Sequence, residues 1–114
     1  MRGWVAALLV AGCDPVYHID GTVLDPAGSP IAGVSVTKTC PSSPVEKETT
    51  DAAGHYAFGG VGGTRDADRC TLVFDKPGYK TQTRPSTAAC LRSTSKGNAG
   101  EPCEAGEGNV TLAP

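Results

Sequence analysis

The chain has 114 residues, with 10 Lys and Arg against 12 Asp and Glu and a net charge of −2. That length suits one small domain, and a near-neutral balance with no basic cluster excludes a nucleic-acid partner. Fifteen Gly and nine Pro, with a single Met and few Leu, favour short strands and turns over helices.

In chain order, the first segment joins Arg2 to an apolar run from Trp4 to Ala11 and closes on Val10, Ala11, Gly12 and Cys13. A charged start, an apolar stretch and small residues before a cut site are the layout of a secretory signal. It is far shorter than the roughly 20 apolar residues that a membrane-spanning helix needs. With Cys13 directly after the small pair, the segment resembles a bacterial lipoprotein signal peptide over residues 1–12. The resemblance implies cleavage before Cys13, a diacylglyceryl group on Cys13 and attachment of the mature chain to an envelope membrane through that N-terminal lipid. Residues 13–16 are then a lipidated tether and residues 17–114 the folded domain. The plainer alternative is an apolar N-terminus that happens to carry a cysteine.

Setting Cys13 aside leaves Cys40, Cys70, Cys90 and Cys103, an even number that reads as two disulfides in an exported chain. Four cysteines permit three pairings. A zinc site is disfavoured, since no C-x-x-C pair exists and His18 and His55 stand at no ligand spacing.

Tyr17, Ile19, Gly21 and Val23 alternate with His18, Asp20, Thr22 and Leu24, which predicts a strand with one face inward. Asp25 to Pro30 predicts a turn, and Val34 and Val36 open a second strand that ends at Cys40. Pro41 to Pro44 breaks it, and Val45 to Thr50 suits an edge strand protected by charge. A second turn at Asp51–Gly54 leads to a strand carrying Tyr56 and Phe58. Gly28 and Gly54 supply the positive φ that these two turns need. Gly59 to Arg69 reads as a loop, and Cys70 to Phe74 as the strongest strand, closed by Lys76, Pro77, Gly78 and Tyr79. Lys80 to Thr83 is a further strand candidate. Residues 85–108 are poor in large apolar side chains and read as a polar insertion stapled by a disulfide. Val110 and Leu112 make a short last strand.

Taken in order, Gly21–Val36, Thr50–Phe58, Leu72–Tyr79 and Val110–Leu112 resemble the successive signatures of carboxypeptidase regulatory-like domains. The resemblance implies an all-β, transthyretin-like (prealbumin-like) Greek-key β-sandwich of about seven strands, with antiparallel sheets. Val23, Val34, Val36, Tyr56, Phe58, Leu72, Phe74, Val110 and Leu112 fall on the apolar face of its period-two patterns and are the expected core. In that topology the strand ending at Cys40 runs antiparallel beside the one starting at Cys70. This implies Cys40–Cys70 and Cys90–Cys103 as the bridges.

No catalytic role is expected. Two isolated histidines cannot supply the ligands of a zinc carboxypeptidase, no G-x-S-x-G elbow occurs, and no phosphate loop or cofactor motif is present. The expected function is a lipid-anchored interaction or structural module with an envelope protein as partner and no metal or cofactor. The alternative is a carbohydrate- or small-ligand-binding module, since starch-binding domains share this sandwich. It is weakened by a shortage of exposed aromatics, with only Tyr17 and Tyr79 left outside the inward positions.

Overall fold

The computed structural model describes residues 16–61, 67–93 and 106–114. The segments read as signal peptide and most of the tether, including Cys13, lie outside these residues, as do Cys103 and the middle of the 59–69 loop. The strands are β1 (Val16–Leu24), β2 (Ser35–Cys40), β3 (Ser43–Thr49), β4 (His55–Val61), β5 (Thr71–Asp75), β6 (Gln82–Pro85), β7 (Cys90–Ser93) and β8 (Val110–Thr111). Short 3-10 turns occupy Ala67–Arg69 and Ser86–Ala88.

Two sheets form a sandwich. One is ordered β4-β1-β7, with β8 also pairing β1, and the other is ordered β3-β2-β5-β6. The protein is all-β and transthyretin-like, as expected. All nine expected core residues are buried, Val23, Val34, Val36, Leu72, Phe74 and Leu112 completely. Tyr56 links the layers, its ring edge-on to Phe74 with centroids 5.2 Å apart and tilted against Phe58 at 6.4 Å. Ile19 and Ile31 join this core, and Tyr79 packs against it partly buried.

The structure departs from the sequence reading at four places. An eighth strand, β7, lies inside the segment 85–108 and pairs antiparallel with β1, Ile19 opposite Leu91 and Asp20 opposite Cys90. Ser86, Ala89 and Cys90 are buried there, so small side chains fill a place where large ones were sought. The last strand β8 is parallel to β1, with Val23 opposite Val110, so the first sheet is mixed rather than antiparallel. Strand β4 continues through Gly59 and Gly60 to Val61, held by pairing with Val16 to His18 rather than by side-chain bulk. Finally, β2 and β3 are joined by a two-residue turn at Pro41 and Ser42, with a register shift between Lys38 and Cys40 that accommodates it.

Gly21 is required by close approach. It pairs directly with Tyr56, and a Cβ there would sit 2.6 Å from the Tyr56 hydroxyl. The Tyr56 ring therefore covers the glycine across the strands. Its hydroxyl is buried, with no hydrogen-bond partner among the described residues. Burial raises its pKa far above the ordinary phenol value, with the Asp20 charge adding to the effect.

The two D-x-A-G turns fold alike. Asp25 Oδ1 accepts from the Ala27 and Ser29 amides at 2.9 Å each. Asp51 Oδ1 accepts from Ala53 at 2.9 Å and His55 at 3.0 Å. Gly28 and Gly54 follow with φ of 87° and 73°. The His55 amide bond is the largest cause and, with that of Ala53, outweighs desolvation and lowers the Asp51 pKa. A lowered folded-state pKa means that this carboxylate stabilises the fold above its unfolded-state value of about 3.8. That contribution is lost as pH falls through the folded-state pKa. Asp51→Ala is expected to lower the melting temperature at pH 7 and to flatten its fall on acidification, readable by thermal scans from pH 7 to 2. An unchanged acid profile would refute the role of this turn.

Candidate functional site

Three side-chain groups stand out from the packed core. The first is the bridge between Cys40 and Cys70, whose Cα atoms are 4.2 Å apart. It extends the β2–β5 ladder one step beyond the Thr39–Thr71 pair. The expected pairing and the strand adjacency behind it are both present. Cys90 is also disulfide-bonded, while its expected partner Cys103 lies outside the described residues.

The second group was not expected. Lys38 sits between Val36 and Cys40 on the inward face of β2, its side chain 2% exposed. Its ammonium donates to Glu46 Oε1 at 2.8 Å and to the Tyr17 hydroxyl. It also lies 4.3 Å from the Tyr17 ring centroid and 5.4 Å from that of Phe58. Burial alone would lower the Lys38 pKa, but the hydrogen bonds and charge of Glu46 and Tyr17 outweigh it, and the net shift is upward. The ammonium is thus charged and fully engaged, a poor nucleophile at neutral pH. Its contribution to stability is complete below the ordinary value of 10.5 and is lost as pH rises through the raised one. Period-two parity from Val34 and Val36 points Lys38 inward. Only the register that sets Glu46 opposite it explains how the charge is tolerated.

This cluster ties the edge strand β3 to the core, because Glu46 is the partner of the buried ammonium and is itself half exposed. Glu46→Ala is expected to cost about 1–2 kcal/mol, since it leaves a buried cation with only Tyr17 and two ring faces. Lys38→Met removes the charge and keeps the volume, and is expected to cost less than about 1.5 kcal/mol. Urea unfolding of both variants checks the order. A Lys38→Met variant less stable than Glu46→Ala would overturn it.

The third group lies on the outer face of the first sheet. His18 and Asp20 are two residues apart on β1 and share that face, while His55 on β4 pairs with Thr22, diagonal to Asp20. His18 Nε2 is 2.6 Å and His55 Nε2 3.7 Å from the same Asp20 Oδ2. Linear spacing leaves these histidines isolated, whereas the fold converges them on one carboxylate. As arranged, no three such groups among the described residues form a metal centre.

Tyr17 is buried against Lys38 and is not available as a surface aromatic. This leaves Tyr79, half buried, among the two aromatics considered for a sugar platform.

A sequence profile for the carboxypeptidase regulatory-like domain matches residues 18–98. The chain belongs to that family. Over 62 residues this regulatory-like chain is 40% identical to the serine-aspartate repeat-containing protein E of Staphylococcus aureus, covering 54% of this chain and 5% of the relative. The bone sialoprotein-binding protein of Staphylococcus aureus matches to the same extent. The domain therefore spans about one-twentieth of the length of these relatives. Among solved structures, the 3-chlorocatechol 1,2-dioxygenase of Rhodococcus opacus is similar at a TM-score of 0.48 and 17% identity, covering 84% of this chain and 58% of the enzyme.

Proposed function

We propose that this regulatory-like domain is a non-catalytic module of the bacterial cell envelope, anchored by lipid on Cys13, that acts by contacting another envelope protein. The family match over residues 18–98 carries the reading, because it assigns most of the chain to a regulatory-like rather than a catalytic class. A relative whose name states that it binds a protein, bone sialoprotein, supports the interaction role. The outer face of the β3-β2-β5-β6 sheet offers a contact surface. Thr37, Val73 and Thr83 form one cross-strand row, ended by Lys47 on β3, and Thr39 and Thr71 form another, so an uncharged and at least partly exposed centre is flanked by Lys47 and by Asp75 opposite Ser35. A partner can cover the uncharged centre of such a face while Lys47 and Asp75 stay at a polar rim.

The lipid reading fixes what the second disulfide would have to be. Cys40 and Cys70 hold each other, so the bonded Cys90 must draw on Cys103 or Cys13. With Cys13 acylated, as proposed, Cys103 is the partner left for Cys90. Two or three acyl chains are needed for firm anchoring, because one binds membranes only marginally.

Intact-mass analysis of membrane extracts is expected to show a chain beginning at Cys13 with acyl mass, and Cys13→Ser is expected to release it from the membrane. A mature chain without acyl mass, a variant that stays bound, or a Cys13–Cys90 peptide in unreduced digests would sink the anchor. Crosslinking in envelope membranes is expected to capture a protein partner that is lost when Thr37 and Thr39 are both changed to Lys. Capture unaffected by those changes would remove this face from the reading.

A further inference from the structure

We propose that His18, Asp20 and His55 bind a divalent transition-metal ion of the zinc class, clipping β1 to β4 on the outer face of the first sheet. The donor set argues for this class. Two imidazole nitrogens with one carboxylate oxygen suit zinc, nickel or copper, whereas magnesium and calcium favour all-oxygen shells.

The distances argue for the location. Donors held about 2.0–2.1 Å from a tetrahedral ion stand roughly 3.3 Å from one another. His18 Nε2 and His55 Nε2 lie 2.6 Å and 3.7 Å from Asp20 Oδ2, on either side of that spacing. An ion entering beside Asp20 therefore has to lengthen one contact and shorten the other, each by less than 1 Å on that roughly tetrahedral geometry. The three groups are not set as a coordination sphere beforehand, so the ion itself must draw the rings in. Little packing resists this, since the side chains of His18 and His55 are 42% and 45% exposed.

Asp20 is the fixed point, its side chain 13% exposed between the two rings. Coordination through Nε2 uses the lone pair of each ring, so the proton that a neutral imidazole retains is carried on Nδ1. The His18–Asp20 hydrogen bond is replaced by two metal bonds. Water completes the fourth position, as in open three-ligand sites. The site joins residues of strands that are far apart in sequence, and its function is to bind and clip. It is independent of the envelope-module reading and of its partner.

The test is calorimetric titration of the chelator-treated, non-lipidated Cys13→Ser chain with zinc chloride, with magnesium chloride as control. One zinc per chain is expected, with a higher melting temperature and no magnesium binding. His18→Ala and His55→Ala are each expected to weaken zinc at least about tenfold while leaving the circular-dichroism spectrum unchanged. Both ring resonances are expected to shift together in NMR spectra as zinc is added. Absence of zinc binding, magnesium binding of equal strength, or one-to-one zinc binding that survives both substitutions would each overturn the proposal.

Discussion

Phe74→Ala is expected to destabilise the domain by about 3–5 kcal/mol, the range found when a buried aromatic is truncated. Phe74 is completely buried on β5, opposite Val36 on one side and Gln82 on the other. Its ring receives the edge of Tyr56 from the facing sheet at 5.2 Å, so truncation loses contacts in both layers. Backbone pairing on either side prevents β5 from collapsing into the space, and the cavity persists. A domain of this size has roughly 5–15 kcal/mol in total, so the variant is expected to be close to unfolding at physiological temperature. Urea unfolding with a constant slope measures the loss. A cost below about 1.5 kcal/mol would mean that the β5 face is not the core.

Where the chain alternates apolar and polar residues, the fold is legible from sequence, because a one-residue shift would turn a whole strand inside out. Val34 and Val36 carry that parity to Lys38 and Cys40, and Leu72 and Phe74 carry it back to Cys70. The same parity points a charge inward at Lys38, which looks like an error until Glu46 is known to lie opposite. Register between strands is a long-range property that no local pattern contains. For the same reason, β7 escapes a reading based on apolar bulk. Cys90, Leu91, Arg92 and Ser93 are ordinary in isolation and become a strand by pairing along Tyr17 to Asp20 of β1. The convergence of His18 and His55 on Asp20 was equally hidden, since it depends on Thr22 pairing with His55. Thr50 is a further case. Its hydroxyl accepts from the Val34 amide at 2.9 Å and donates to the Ile31 carbonyl at 2.7 Å. It thus bolts the entry of β2 to the end of β3, although the sequence pattern places it only at the end of an edge strand.

Removing the Cys40–Cys70 bridge is the second change expected to have a large effect. The bridge closes a loop with a sequence separation of 30 residues, and loop entropy alone assigns it about 3.6 kcal/mol. The location adds to the expectation. The loop it closes contains β3 and β4, so one edge strand of each sheet is gathered by a link between β2 and β5. Both sulfurs belong to buried residues, and alanine is the appropriate replacement because a serine hydroxyl would need a buried partner. The double variant Cys40→Ala/Cys70→Ala is expected to unfold at a much lower urea concentration with the same sheet spectrum below its transition. Reductant is expected to leave this variant's β2–β5 pairing unaffected, since any remaining response comes from the bond at Cys90. The two readouts separate the bridges: if the double variant matched the parent in stability, the central ladder would be self-sufficient, and stability would have to come from packing around Tyr56 and Phe74 alone.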